Sequence, residues 1–280
     1  MGDKRIFITG GASGLGRALA ERYARDGYRV CIGDLNEARG KETVAALGGA
    51  AHFLRCDVTR EEDLTEAARW LEQSWGGVDI VVNNAGVALA GLIEDVSLTD
   101  WQWIVDINLL GVVRGCKVFT PLFKKQRSGH FINVSSLSGI VHMPTMAAYS
   151  ATKAAVVAVS ETLRLELEEW NIGVSVVCPS FFRTNLTESL RTGDSRLQEM
   201  TRTLVEKSPI GADVIAEKIF AGVARGHFHI LPHGEGRVAW LLKRLTPYKF
   251  YLGAMRKNAK KMLGREDAVA QAELASKPHS

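Results

Sequence analysis

Tyr149 and Lys153 stand four residues apart in the run Tyr149-Ser150-Ala151-Thr152-Lys153. On a helix that spacing puts both side chains on one face, with Cβ atoms about 5–6 Å apart. An ammonium near a phenol favours the phenolate and draws its pKa down from near 10. A tyrosine so tuned can act as a general acid or base near neutral pH. Ser136 lies 13 residues earlier, across a loop that should return to the same cleft. Its hydroxyl can hold a reacting oxygen and polarise a carbonyl. Residue types alone leave plainer readings open. Tyr149 could be a core aromatic at a helix start, Lys153 a solvated helix residue, and Ser135 the acting serine.

A second constellation is Thr9-Gly10-Gly11-Ala12-Ser13-Gly14-Leu15-Gly16. It joins an apolar run, Arg5–Thr9, to a helical pattern, Leu15–Arg25. Glycine lets backbone approach a pyrophosphate with no Cβ in the way. The helix start then offers free N–H groups and the positive end of its dipole. Asp34 follows Gly16 by 18 residues and closes the next apolar run. An acid near that spacing can accept hydrogen bonds from an adenosine ribose. It would also repel the extra phosphate of NADP, and neither Ser13 nor Leu35 offers a cation to hold one. The expected cofactor is therefore NAD. The competing reading makes Asp34 a helix N-cap.

These residues need a scaffold. Short apolar runs occur at Arg5–Thr9, Arg29–Gly33, His52–Cys56, Asp79–Val82, His130–Val134, Gly173–Cys178 and Phe228–Leu231. Most are apolar on both faces, as parallel strands covered on both sides must be. Helical patterns lie between them at Leu15–Arg25, Glu37–Ala46, Glu61–Trp75, Asp100–Lys125 and Ala147–Trp170. The alternation predicts an α/β fold with a doubly wound sheet. One domain is expected over residues 1–232, with an appended segment over 233–280.

The bulk properties are those of a globular chain: 280 residues, 46% apolar and 24% charged, with a net charge of +4. Cys31, Cys56, Cys116 and Cys178 form no CxxC pair, so free buried thiols are expected and no metal site. The N-terminus runs straight into a strand pattern, and no stretch reaches about 18 apolar residues. A protein that is cytoplasmic, or peripheral to a membrane at most, is expected. Between Glu235 and Glu266 there is no acid but nine Lys or Arg, interleaved with Trp240, Tyr248, Phe250, Tyr251 and several leucines. Such a segment can lie on an anionic membrane surface, close over a substrate pocket, or form a solvated face around a docking helix. Nucleic acid is not expected, because no reading element accompanies the charge. The polar stretch 266–280 is expected to fray.

Five motifs in order resemble the short-chain dehydrogenase/reductase family: Thr9-Gly10-x-x-x-Gly14-x-Gly16, Asn83-Asn84-Ala85-Gly86, Asn108, Ser135-Ser136, and the Tyr149-to-Lys153 run. The resemblance spans roughly residues 5–185. It implies a Rossmann-type fold with a seven-stranded parallel sheet, and a homodimer or homotetramer. It implies Ser136, Tyr149, Lys153 and Asn108 as the catalytic group, with Lys153 on the nicotinamide ribose and Asn108 holding a water. For the cofactor it implies Gly10, Ser13, Gly14, Leu15, Gly16, Asp34 and Leu35, with Asp57 and Val58 at the adenine. Asn84, Ala85, Gly86, Tyr149, Lys153 and Thr184 complete that set. Asn83 is either a cofactor contact or a structural tie. Ser180 departs from the family, which usually has glycine after this proline.

The implied reaction is hydride transfer between NAD(H) and a secondary alcohol or ketone. Residues 180–209 should form the substrate loop, with Phe181, Phe182, Leu186, Leu190, Leu197, Met200 and Leu204. By the same resemblance, Leu89, Leu92, Val141, Met143 and Met146 lie where the family lines its pocket. Apolar side chains suit an apolar ligand such as a steroid, a retinoid-like alcohol or a long chain. The rival enzymatic reading is a 3-oxoacyl reductase. A rival of another class is a catalytically idle NAD-binding sensor or membrane-associated scaffold.

Overall fold

Seven segments dense in Val, Ile and Phe form seven parallel strands in a computed structural model that describes residues 4–49 and 51–262. They are β1 (Arg5–Thr9), β2 (Arg29–Asp34), β3 (Ala51–Arg55), β4 (Ile80–Asn83), β5 (Gly129–Val134), β6 (Ile172–Val177) and β7 (His229–Ile230). Their order across the sheet is β3-β2-β1-β4-β5-β6-β7. The winding direction reverses between β1 and β4, which opens a crevice beyond the carboxyl ends of those strands.

Helices cover both faces. On one side α1 (Gly14–Arg25) and α8 (Ala212–Ala224) pack Leu15, Leu19 and Tyr23 with Ile215 and Ile219 against Ile6, Ile8, Val82 and Ile132. On the other, α3 (Glu61–Trp75), α5 (Gly111–Gln126) and α6 (Ala147–Leu167) set Leu64, Phe119 and Val156 against Phe7, Val81 and Phe131. The helix α2 (Glu37–Leu47) joins β2 to β3, and α7 (Ser195–Glu206) follows β6. After β7 come α9 (Gly234–Leu245) and α10 (Tyr248–Met262). Ala239 and Trp240 of α9 and Tyr251 of α10 pack with Ile140, Val141, Cys178 and Leu231.

The structure differs from the sequence reading at two elements. The strand expected at Phe228–Leu231 is only two residues, because β7 is an edge and pairs with β6 alone. The single helix expected over Asp100–Lys125 is α4 (Leu98–Val105), a π-helical turn over Asp106–Leu110, and then α5. All four cysteines are free and buried. Burial pushes the Cys116 thiol up to about 12, which makes it a poor nucleophile. Among the described residues, no cluster of His, Cys, Asp or Glu could hold a metal ion. No described helix is long and apolar enough to cross a membrane.

Candidate active site

Each nominated segment except the Asn108 turn and the α6 pair follows the carboxyl end of a strand. The glycine turn follows β1, Asp34 ends β2, Asp57-Val58 follows β3, Asn84-Ala85-Gly86 follows β4, and Ser135-Ser136 follows β5. Parallel pairing brings these ends to one edge. The register sets Thr9 beside Gly33, Asn83 beside Asn133 and Val134 beside Val177. At the switch between β1 and β4, the Thr9 hydroxyl accepts from the Asn84 and Ala85 N–H groups, at 3.0 and 3.1 Å.

The resulting cleft has a volume of about 680 Å³, and every nominated cofactor residue lines it except Gly16. Gly14 has a φ of +52°, and a Cβ there would sit 2.6 Å from the Thr184 hydroxyl. Gly16 acts from behind the cleft: a Cβ there would strike the Gly10 carbonyl oxygen. Ser13 stands at the N-cap of α1 but makes no capping hydrogen bond, and the first turn holds no acid. The leading N–H groups are therefore left for an anion. This cradle, which side chains would fill, fits a dinucleotide pyrophosphate.

Asp34 is not a helix cap, since Asn36 caps α2 by accepting from the Arg39 N–H. The Asp34 carboxylate accepts instead from the N–H groups of Ala12 and Asn36, each at 3.0 Å. It thereby ties the glycine turn to the turn after β2 while lining the cleft. Two nearby arginines are already paired. Arg39 reaches Glu188 at 2.7 Å, and Arg17 holds Glu21 and Glu42. Asn83 is a structural tie: its amide donates to Asn133 Oδ1 at 2.8 Å and it is buried away from the cleft.

The π turn places Asn108 inward and fully buried. Its side chain clamps Val87, accepting from the N–H at 2.8 Å and donating to the carbonyl at 2.9 Å. A Cβ on Gly86 would lie 3.1 Å from Asn108 Oδ1 and 3.4 Å from Lys153 Nζ. Gly86 thus lets the two side chains converge. Lys153 is 4% exposed, and its Nζ donates to the Val134 carbonyl at 3.0 Å.

Tyr149 and Lys153 share the first turns of α6, with Nζ 5.8 Å from the phenol ring centre. The tuning differs from the sequence expectation. Burial, the larger influence, pushes the Tyr149 phenol up, and the Ser136 hydroxyl draws it partly back. Lys153 is turned to the Val134 carbonyl, and burial lowers it to about 8. The two serines differ as well. Ser135 donates to the Lys153 carbonyl at 2.7 Å. Ser136 accepts from the Ser138 N–H at 3.1 Å and lines a second cavity beside Tyr149.

That second cavity, of about 200 Å³, includes Val141, Met143, Met146, Phe181, Phe182, Leu186 and Leu190 among its walls. Other nominated residues lie elsewhere. Leu197 is in the core, Leu89 packs within a separate cluster, Leu92 and Leu204 are exposed, and Met200 is outside the wall. Ala88, Ala90, Leu137, Thr187, Thr201 and Val205 line the cavity but were not foreseen. For Ala88 and Ala90 the signal was present, since they directly follow the Asn84-Ala85-Gly86 turn. Tyr149, Pro179, Phe182, Thr184 and Leu186 line both cavities, so the two meet there. Ser180 is held by its N–H, which donates to His233 Nδ1 at 3.1 Å.

A doubly wound parallel sheet, an uncapped glycine-rich helix start and a Ser–Tyr–Lys group at one crevice define an oxidoreductase of the dinucleotide-dependent type. The chain belongs to the short-chain dehydrogenase family, whose model matches residues 4–195. It is 32% identical over 256 residues to a CLA biosynthesis dehydrogenase/reductase of Lactiplantibacillus plantarum, covering 83% of this chain and 89% of that one. It is 35% identical over 185 residues to a 3-alpha-(or 20-beta)-hydroxysteroid dehydrogenase of Mycobacterium tuberculosis, covering 66% and 71%. Among solved structures, a short-chain dehydrogenase/reductase from Burkholderia phymatum in complex with NAD superimposes with a TM-score of 0.82. That likeness has 30% identity and covers 86% of this chain and 93% of that one.

Proposed function

We propose that the protein transfers a hydride between NAD(H) and an apolar secondary alcohol or ketone, acting as a homodimer or homotetramer as its family resemblance implies. The observation that carries the reading is the meeting of the two cavities at Tyr149, with Ser136 on the apolar side and Lys153 on the cleft side. A nicotinamide dinucleotide bound in the cleft supplies the hydride acceptor or donor. Gly14, Ser13 and Leu15 would hold its phosphates, and Asp34 its adenosine ribose. The carboxylate of Asp34, and the pairing of Arg17 and Arg39 with acids, favour NAD over a cofactor that carries a ribose phosphate.

Ser136 holds the substrate oxygen by a hydrogen bond, and Tyr149 takes the alcohol proton during oxidation or returns it during reduction. Lys153, largely charged at neutral pH, faces the ribose side of the cleft. A raised phenol keeps its proton at neutral pH, so it stands ready as the acid for reduction. Oxidation needs the phenolate and should quicken as pH rises.

The test is turnover with NAD and with NADP, read at the reduced-nicotinamide absorbance, over steroid, retinoid, long-chain and short-chain alcohols and 3-oxoacyl thioesters. The expected result is NAD-dependent oxidation of an apolar alcohol. Tyr149→Phe should lower it by about 10²–10⁴-fold while the variant still binds NAD. A preference for NADP with an acyl thioester would support the 3-oxoacyl reductase. Tight NAD binding without turnover would support an idle sensor.

A further inference from the structure

The helix α9 wears its apolar residues on the wrong side for a helix in water. Gly236, Ala239, Trp240 and Lys243 form its inner face. A Cβ on Gly236 would lie 3.3 Å from Leu137, Ala239 and Trp240 join the apolar cluster, and Lys243 Nζ reaches the Ile140 carbonyl and His142 Nε2. The outward face carries Val238, Leu241, Leu242 and Leu245, which are 67, 45, 40 and 75% exposed. Their spacing of i, i+3, i+4 and i+7 is one continuous stripe. At the start of α10, Tyr248 and Phe250 are also 68 and 61% exposed. Six of the fourteen large exposed apolar side chains among the described residues thus fall within residues 238–250.

The charge around this stripe is mostly positive, with Glu235 at the start of α9 as the one acid of that helix. Arg237, Arg244 and Lys249 are exposed beside it, and no acid occurs between Glu235 and Glu266. A symmetric contact of this stretch with its own copy would bring Arg237, Arg244 and Lys249 of each chain together against a single carboxylate apiece, Glu235. A water-facing role would leave the stripe hydrated. An anionic bilayer satisfies both features, since apolar side chains enter the headgroup boundary while Lys and Arg meet anionic headgroups. We propose that the outward face of α9 and the start of α10 form a docking surface for anionic lipid bilayers. This holds whatever substrate the catalytic cleft turns over.

The experiment is sedimentation of the full-length protein with phosphatidylcholine vesicles, alone or with roughly a third phosphatidylserine. The protein should pellet with the anionic vesicles, stay in solution with phosphatidylcholine alone, and be released by added salt. The exposed double variants Leu241→Glu/Leu245→Glu and Arg244→Glu/Lys249→Glu should each weaken binding by about tenfold or more. Circular dichroism and NAD binding would show that both remain folded. Failure of the wild-type protein to pellet would overturn the proposal, as would variants that bind as it does. A wild-type oligomer that ignores vesicles and falls apart on Leu241→Glu/Leu245→Glu would assign the stripe to contacts between copies instead.

Discussion

Lys153 carries its charge where the fold least favours one. It is 4% exposed, its ammonium has a single hydrogen bond among the described residues, to the Val134 carbonyl, and burial lowers it from the ordinary 10.5 to about 8. At pH values below about 8 the native state must hold an ammonium that the unfolded chain would hydrate freely. A tenfold change in proton affinity is worth about 1.4 kcal/mol, so this costs on the order of 3 kcal/mol. The sign of the pH dependence follows. Between about 8 and 10.5 the unfolded chain binds the proton that the native state has released. This group's contribution to stability therefore improves with rising pH across that window. Lys153→Met should unfold at higher urea than the wild-type protein at pH 7, with the gap shrinking as pH climbs past 8 towards 10.5. The same variant should lose turnover, as expected when a residue is kept for chemistry at the expense of stability. A gap that is absent at pH 7, or that grows with pH, would show that the ammonium is not a burden on the fold.

At the scale of elements, strands were legible in the sequence and one helix was not. Runs such as Ile6-Phe7-Ile8 and Ile80-Val81-Val82 are apolar on both faces, short and rich in β-branched residues, which together mark a covered strand, and β1 to β6 lie within a residue of expectation. The π turn at Asp106–Leu110 was invisible because it leaves the residues on either side helical. One added residue in a turn does not disturb a 3.6-residue pattern enough to be read. The cavity wall was only half legible for a related reason. An amphipathic stripe separates inside from outside, but it cannot say whether Leu197 meets the core or Phe182 meets a ligand. The turn's consequence is the two-way clamp of Asn108 on Val87, next to the Gly86 backbone. Asn108→Ala would leave the Val87 N–H and carbonyl short of partners and cost about 1–3 kcal/mol. Thermal unfolding would measure this loss. Turnover should fall by more than the loss of folded protein, because the clamp also sets the backbone beside Lys153. Unchanged stability would mean that the segment after β4 is held by other contacts.

Over the whole molecule, the sheet reversal between β1 and β4 supplies the dinucleotide cleft, while the chain after β6 folds back to build the second cavity. Those two parts differ sharply in electrostatics. The cleft is edged by Asp34, Asp57, Glu188 and Lys153. Among the described residues, the wall of the second cavity holds no Asp, Glu, Lys, Arg or His side chain, only hydroxyls among apolar groups. A charged substituent entering it would lose its hydration and find no counter-ion. An apolar secondary alcohol should therefore exceed its carboxylate-bearing analogue in kcat/KM by about 10²-fold or more. Met143 is half-buried on that wall and adjoins the exposed His142, so an arginine there could keep its charge near water. Met143→Arg should narrow the gap by raising turnover of the carboxylate while lowering that of the apolar alcohol. Wild-type turnover that is indifferent to the carboxylate would mean that this part of the substrate stays outside the cavity. Selection would then act at the mouth, and Met143→Arg would leave the ratio unmoved.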